Sequence, residues 1–188
     1  MIYSSTRGSD TDLKFGDVLL NGLARDGGLY VPNRLKIYSS KELDSLRELD
    51  YPNLVFELTK DFVSDEISES EYKKICINSY NKLFGKEIIS FDRLDQNKYI
   101  ANLFNGPTYA FKDFALQLLG NIYEYVLKKR KIKLTILGAT SGDTGSAAIH
   151  GCAKSDKVKI FILFPYNKVS EIQRKQMTTV KKKNVFNI

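Results

Sequence analysis

The sequence is poor in the residue types on which most metal and redox sites depend. Its 188 residues include one histidine, His150, and two cysteines, Cys76 and Cys152. A single histidine excludes most histidine-based metal sites and catalytic triads. The cysteines lie far apart and without CxxC spacing. They are therefore predicted to be buried thiols in a reducing compartment, and neither a zinc site nor a disulfide framework.

Long hydrophobic runs are also missing. The longest run, 158–165, is interrupted by Lys159 and has the length of a strand, whereas a membrane-spanning helix needs about 20 apolar residues. The N-terminal segment has no basic region followed by an apolar one, and it carries Asp10 and Asp12, so neither a signal peptide nor a transit peptide is predicted. We therefore expect a cytoplasmic protein without a membrane partner.

The overall composition is that of a globular protein, with 43% apolar and 27% charged residues. The 29 basic and 22 acidic residues give a formal net charge of +7, which favours anionic partners such as phosphorylated metabolites or nucleic acid. The densest basic runs are 128–131 and 181–183. Neither contains the interleaved aromatic residues that stack on bases, so a solvated surface is favoured and no nucleic-acid partner is predicted.

The first half of the chain is predicted to be mainly helical after a short extended start. Capping-box spacing joins Ser39 to Glu42 and Ser68 to Glu71, and apolar residues at helical spacing follow each pair. Cys76 lies on the second of these apolar stripes, which indicates a core position. The expected N-terminal domain comprises residues 1–95.

The second half alternates between strands and helices. Strands are predicted over 99–104, 134–137 and 159–164, and the helix with the clearest apolar stripe follows the turn 105–107. That stripe consists of Phe111, Phe114, Ala115, Leu118, Leu119, Ile122 and Val126. Alternation of this kind predicts a parallel sheet with right-handed crossovers, and hence an α/β fold over residues 96–188.

The last residues, 184–188, have the character of a further strand. A parallel sheet cut at that point would leave an open hydrophobic edge. A fragment of a longer polypeptide is favoured here over a short strand that closes a small sheet.

The loop 138–145, with the sequence GATSGDTG, separates a predicted buried strand from a predicted helix. Glycine lets the backbone approach a ligand closely, and N–H groups at a helix start bind carboxylate or phosphate. The loop matches neither a Walker loop, since Gly142 precedes Asp143, nor the dinucleotide pattern, nor a nucleophile elbow. An anion-binding loop is favoured over a tight connection without a ligand.

Two lysines lie at the starts of predicted helices. Lys112 lies between Phe111 and Phe114 and beside Asp113, where apolar surroundings favour the neutral amine that forms imines. Local physics alone, however, favours a lysine extended into solvent. Lys168 and Ser170 follow the last full strand. There, a helix cap beside a surface lysine and a binding role at the sheet edge are equally good interpretations.

Five segments, taken in order, resemble the threonine synthase family, which belongs to the tryptophan-synthase-β-like (fold type II) enzymes that use pyridoxal phosphate. The segments are YSSTRG at 3–8, GLARDGGLYVP at 22–32, NGPTYAFKDF at 105–114, ATSGDTGSAA at 139–148 and PYNKVS at 165–170. The resemblance spans essentially the whole chain, but members of the family are more than twice as long. It implies a mainly helical N-terminal domain followed by the start of a parallel-sheet domain that binds the cofactor, in an apparently truncated chain.

The resemblance also implies an activity and a set of site residues. Members of the family are lyases that convert O-phosphohomoserine and water into threonine and phosphate, the last step of threonine biosynthesis. Lys112 would hold pyridoxal phosphate as an imine and then move protons beside the substrate Cα. Asp143 and Thr144 would also contact the cofactor. The expected substrate-binding residues are Ser141, Gly142, Asp143, Thr144, Lys168, Ser170 and Gln173.

Parts of the family pattern are missing from the sequence. It has no further glycine-rich loop for the cofactor phosphate, and no serine or threonine that can be assigned to the pyridine nitrogen. We therefore expect an incomplete enzyme that is inactive or nearly so alone, and that associates with a missing C-terminal half or with itself. The alternatives are a threonine-synthase-like phospholyase that acts on a phosphorylated hydroxy-amino acid, and a non-catalytic module that binds an anion.

Overall fold

The computed structural model describes residues 1–80, 82–85 and 87–188, except for the side chain of Lys82. These residues form two compact units, Met1–Ile77 and Asn78–Ile188. The predicted domains, 1–95 and 96–188, stay predictions. None of the helices in the described part of the chain has the length and apolar character that crossing a membrane requires.

The first unit is mainly helical, as predicted. Its two short strands, β1 and β2, pair antiparallel, and Tyr3 of β1 donates a hydrogen bond from its hydroxyl to the Phe62 carbonyl at 2.5 Å. The elements that begin in this unit are β1 (Tyr3–Ser5), α1 (Phe15–Asn21), β2 (Tyr30–Pro32), α2 (Ser40–Leu46), α3 (Tyr51–Val63) and α4 (Glu69–Ser79).

The N-terminal caps explain where three of these helices begin. The Ser39 hydroxyl accepts from the Glu42 N–H at 3.3 Å and the Glu42 carboxylate accepts from the Ser39 N–H at 2.9 Å, which confirms the predicted capping box of α2. Asp50 caps α3, and the Ser68 hydroxyl accepts from the Glu71 N–H at 3.5 Å at the start of α4.

The second unit contains an antiparallel hairpin and a parallel sheet. Its elements after a short 3-10 helix (Lys82–Phe84) are β3 (Ser90–Asp95), β4 (Lys98–Asn102), α5 (Asp113–Arg130), β5 (Leu134–Ala139), α6 (Asp143–Cys152), β6 (Val158–Leu163), α7 (Glu171–Thr178) and β7 (Val185–Asn187). Strands β5, β6 and β7 are adjacent in that order and all parallel, which confirms the predicted α/β sheet. The sequence did not predict β3, the partner of β4.

The buried face of α5 differs from the predicted apolar stripe. Phe111 is 60% exposed and Ala115 is exposed, so their assignment to the stripe was wrong. The buried residues of α5 are Asp113, Gln117, Gly120, Ile122, Val126 and Leu127. The face is turned in this way because α5 meets α6 through glycine, and hydrophobic periodicity gives no signal for such a contact. A Cβ at Gly120 would overlap the Gly151 carbonyl, and one at Gly151 would overlap the Leu116 carbonyl.

The two faces of the parallel sheet differ in exposure. On β6, Val158, Ile160 and Ile162 are buried, whereas the alternate residues point to the opposite, more exposed face. There Phe161 lies opposite both Leu137 and Phe186, and the two phenylalanine rings stack with their centroids 4.5 Å apart. We call this surface the open sheet face. It consists of Leu137, Phe161, Leu163, Phe186 and Ile188.

Candidate active site

The predicted site residues lie on three segments of the second unit. These are the turn 105–112 before α5, the loop 140–144 between β5 and α6, and the segment 165–173 that leads into α7. The two latter segments follow parallel neighbouring strands, so they meet at the same edge of the sheet, where ligands bind in open α/β folds. The Thr140 N–H donates to the Leu163 carbonyl at 2.9 Å, and this hydrogen bond joins the start of the loop 140–144 to the end of β6, just before the segment 165–173.

The turn that leads to Lys112 is held by the carboxylate of Asp113. One oxygen of Asp113 accepts from the Thr108 N–H at 2.7 Å, and the other accepts from the Thr108 hydroxyl at 2.8 Å. Asp113 is fully buried and Thr108 is 4% exposed. A Cβ at Gly106 would lie 2.5 Å from the Asp113 side chain, so only glycine fits there without a shift. The turn is therefore a tightly closed unit.

Lys112 occupies the N-cap position of α5 and is half-buried. Its Nζ lies 4.5 Å from the centroid of the Phe111 ring, an ammonium–aromatic contact. Phe114, the other predicted aromatic neighbour, packs edge-on against Phe84 at 5.0 Å between centroids. The backbone of the preceding turn thus fixes the base of the Lys112 side chain, and one aromatic ring contacts its end.

The loop 140–144 leaves two backbone donors at the start of α6. The Thr140 hydroxyl accepts from the N–H groups of Gly142 and Gly145, both at 3.0 Å. The N–H groups of Asp143 and Thr144 have no acceptor among the described residues. Donors of this kind at a helix start bind carboxylate or phosphate groups. The hydroxyl-bearing Ser141 and Thr144 are exposed beside them.

The side chain of Gln173 connects α7 to this loop. Its Nε2 donates to the Asp143 carboxylate at 2.6 Å, while its Oε1 accepts from the Ser170 hydroxyl at 3.0 Å. Gly142 passes so close that a Cβ there would lie 2.5 Å from the Gln173 amide carbon. Ser170 is the N-cap of α7, and Lys168 lies in the exposed turn before it. Gln173 and Ser170 therefore make the hydrogen bonds that hold this end of the site.

Two residues near the site were not among the predicted site residues. The Gln176 side chain donates to the Thr108 carbonyl at 2.9 Å, so α7 contacts the Lys112 turn as well as the Asp143 loop. His150 of α6 lies near Asp113; burial lowers the pKa of His150, and the Asp113 charge partly opposes this. The spacing of Gln173 and Gln176, one helical turn apart after a serine cap, was the available signal for α7.

In the structure, the turn 105–112 and the loop 140–144 thus both contact helix α7. Ser141, Gly142, Asp143 and Thr144 lie together on the loop, and Gln173 contacts two of them. Lys112 lies at the end of the turn that Gln176 contacts. Together these residues can present one amine and a pair of backbone donors for an anion.

Comparison with known proteins gives consistent matches. Residues 2–80 match the family model described as threonine synthase N terminus. The whole chain is 49% identical to threonine synthase from Pseudomonas aeruginosa, and 98% of it is 37% identical to threonine synthase-like 2 from Pongo abelii. The whole chain also superposes on pyridoxal-phosphate-bound threonine synthase from Brucella melitensis with a TM-score of 0.93 and 40% identity.

The fold is similar to that of the pyridoxal-phosphate-bound Brucella enzyme. A mainly helical unit is followed by an α/β unit that contains a parallel sheet. More closely, the chain is similar over its whole length to the N-terminal portion of threonine synthase, which confirms the resemblance seen in the sequence. The chain spans about 40% of the length of the Pseudomonas and Brucella proteins.

Proposed function

We propose that this chain is the N-terminal portion of a threonine synthase and supplies part of its active site. The enzyme would convert O-phosphohomoserine and water into threonine and phosphate. The observation that carries the proposal is the structure around Lys112: a closed turn held by a buried carboxylate presents one lysine at a helix start. The similarity to threonine synthases along the whole chain supports it.

The residues present fit pyridoxal phosphate in part. Lys112 would hold the cofactor, because its side chain starts from a fixed turn and is half-buried. Gly142 lets the loop backbone pack against the Gln173 amide, because a Cβ there would fit only with a shift. When bound, pyridoxal phosphate withdraws electrons from the substrate Cα, which makes its proton acidic.

The chain's own groups would then bind the substrate and move protons. The N–H groups of Asp143 and Thr144 would bind the substrate carboxylate at the start of α6. Lys112, once its amine is released, would accept and return a proton at the substrate Cα. Lys168, exposed in the turn before α7, is the proposed partner of the substrate phosphate. Gln173 would act by holding Asp143 in place.

The open sheet face supports a proposal about partners. Leu137 is 72% exposed and Ile188 is 66% exposed, and the ring stack of Phe161 and Phe186 lies between them. Apolar surface of this kind is usually covered in a working enzyme. We propose that further polypeptide, of the kind that makes the relatives longer, or a second copy of this chain covers it.

The test is covalent capture of the cofactor. The chain is incubated with pyridoxal phosphate, treated with borohydride and mapped by peptide mass spectrometry. A parallel sample contains the remaining part of the Pseudomonas aeruginosa relative. We expect fixation at Lys112, its loss in Lys112→Arg, and its retention in Lys181→Arg, which makes the same substitution at an exposed lysine outside the site. No fixation at Lys112 in either sample would overturn the proposal. Fixation only in the second sample would show that further polypeptide completes the site.

A threonine-synthase-like phospholyase is the second candidate function, favoured by the similarity to threonine synthase-like 2. The two candidates differ in their products. A complemented enzyme given O-phosphohomoserine and O-phosphothreonine separately would release threonine if it is a synthase, and a keto acid if it is a phospholyase. An anion-binding module without catalysis would release neither, and its ligand binding would be unchanged by Lys112→Ala.

A further inference from the structure

We propose that Gln176 is a positioning residue for Lys112, and that α7 ties the Lys112 turn to the loop 140–144 through Gln176 and Gln173. The inference rests on the proposed function, because it concerns the geometry of the amine that would hold the cofactor. Gln176 lies outside the five segments that carry the family resemblance, and its position is defined by the structure alone.

The first observation is how the polar groups of Thr108 are partnered. Its N–H and hydroxyl both donate to Asp113, which lies within the same short segment. Its carbonyl accepts from Gln176 Nε2 at 2.9 Å, and these two residues are 68 positions apart in the sequence. Among the described residues, Gln176 is therefore the only hydrogen-bond partner of Thr108 from outside the turn.

The second observation is that Thr108 is almost completely buried, so water is a poor replacement for this bond. Thr108 is 4% exposed, and Gln176 is half-buried. A buried carbonyl that loses its donor carries the full cost of desolvation. If Gln176 no longer donates, the turn has to shift until the Thr108 carbonyl finds another donor, and Lys112 follows four residues later in the same segment.

The third observation is that α7 is itself fixed to the sheet. Met177 is fully buried against the start of α6, where a Cβ at Gly145 would lie 2.9 Å from its sulfur. The Met177 carbonyl accepts from the Asn187 side chain of β7 at 3.2 Å. Helix α7 is thus anchored on the side that faces the sheet, and it presents Gln173 and Gln176 from positions one turn apart.

These observations together indicate that α7 positions both the turn before Lys112 and the loop 140–144. Gln173 donates to Asp143 at 2.6 Å, and Gln176 donates to Thr108 at 2.9 Å. Two amides on one rigid helix set the spacing between the amine of Lys112 and the backbone donors of the loop. A bound amino acid has to reach both groups at once, so this spacing decides whether the reacting atoms are aligned.

The test compares Gln176→Met with Gln96→Met in the 188-residue chain. Both substitutions replace an amide by a thioether of similar length, and Gln96 lies exposed in the turn between β3 and β4. The first measurement is the rate at which pyridoxal phosphate becomes fixed at Lys112 by borohydride. The second is hydrogen exchange of the peptide covering 106–112. Gln176→Glu, which keeps the shape but cannot donate when ionised, replaces Gln176→Met if that variant fails to fold.

We expect Gln176→Met to slow fixation at Lys112 by about three- to tenfold, the range of one buried hydrogen bond. Exchange should increase in the peptide 106–112 and stay unchanged in the second half of α5. Gln96→Met should match the unmodified chain in both measurements. Unchanged fixation and exchange in Gln176→Met would overturn the inference, and so would an increase in exchange spread evenly over the second unit.

The same experiment separates this inference from the proposed function. If the unmodified chain is not fixed at Lys112, with or without the Pseudomonas complement, the proposed function is wrong, and exchange alone decides what Gln176 does. A local increase over 106–112 would then still assign Gln176 to holding the turn. No local increase would refute that assignment as well.

Discussion

The Cα of Gly120 lies directly against the backbone carbonyl of Gly151, where α5 crosses α6. Helix propensity alone predicts that Gly120→Ala would stabilise the protein by about 1 kcal/mol. The structure predicts the opposite sign, because the new methyl group would overlap backbone that cannot rotate away. We expect a net loss of about 1–3 kcal/mol in the free energy of unfolding, measured by chemical denaturation.

The matched variant is Ala115→Gly, at an exposed position of the same helix. It should lose about 1 kcal/mol through propensity alone and so calibrates that contribution. A Gly120→Ala protein more stable than the parent would show that the two helices do not pack as closely as the structure describes.

The buried carboxylate of Asp113 depends on the Thr108 hydroxyl. Thr108→Val keeps the shape of the side chain and leaves one Asp113 oxygen without its donor, whereas Thr108→Ser keeps the donor. Hydrogen bonds to charged groups contribute about 1.5–3 kcal/mol, so Thr108→Val should lose stability in that range. Thr108→Ser should stay within about 1 kcal/mol of the parent. Equal losses in the two variants would mean that the hydroxyl does not hold Asp113.

Both cysteines should resist alkylation in the folded protein. Burial raises the pKa of the Cys76 and Cys152 thiols to about 11 each, and Cys76 has no exposed surface. The thiolate is the reactive form, so iodoacetamide at neutral pH should modify neither residue until the chain is unfolded. Mass spectrometry before and after denaturant measures this. Rapid modification of either cysteine in the native protein would contradict its burial.

His150 should make stability fall as the pH falls. Burial lowers its pKa in the folded protein below the ordinary value of 6.5, with Lys154 acting in the same direction and Asp113 in the opposite one. Between the two values the unfolded chain binds more protons, so the stability contribution is complete above about 6.5 and is lost as the pH falls toward the folded value. His150→Gln removes this dependence.

The measurement is the free energy of unfolding of both proteins from about pH 8 to about pH 5. The parent should lose more stability over this range than His150→Gln, whatever their difference at the higher pH. Parallel curves would show that His150 is protonated equally well in both states.

The open sheet face should drive self-association of the isolated chain. Leu137→Lys places a charge beside the stacked rings of Phe161 and Phe186, and Leu137 is exposed enough that the change costs little packing. We expect the apparent mass from sedimentation to rise with concentration in the parent and less so in the variant. Leu35→Lys makes the same substitution at a position that is 67% exposed in the first unit, and it should behave as the parent does.

Local signals in the sequence were sufficient for the later helices of the first unit, but not for α1, and for the parallel sheet of the second. The Ser39 cap and the strand-sized apolar runs each depend on residues close in sequence, and the structure confirms both. The strand β3 was not predicted, because its partner β4 supplies the pairing and its own residues are largely exposed. The exposure of Phe111 was also unexpected, since hydrophobic periodicity extended the apolar stripe to a residue that lies before the start of α5.

The residues of the candidate site also divide into those that the sequence predicted and those that it did not. Lys112 and the loop 141–144 were predicted from short motifs, and their assigned roles stay predictions. Gln176 could not be assigned from sequence, because its spacing from Gln173 indicates only a shared helix face, and its partner Thr108 lies 68 positions away. The bond between Gln173 and Asp143, 30 positions apart, was likewise not predictable, although both residues had been singled out for other reasons.

The turn before Lys112 also bears on how its sequence can change over time. Gly106 has to stay small because Asp113 lies against it, and Asp113 depends on Thr108 for both of its oxygens. A substitution at one of the three is disadvantageous unless the others change with it. Such mutual dependence slows divergence within the segment, whatever happens elsewhere in the polypeptide. We therefore expect Gly106, Thr108 and Asp113 to be retained together in related proteins whose other segments have diverged.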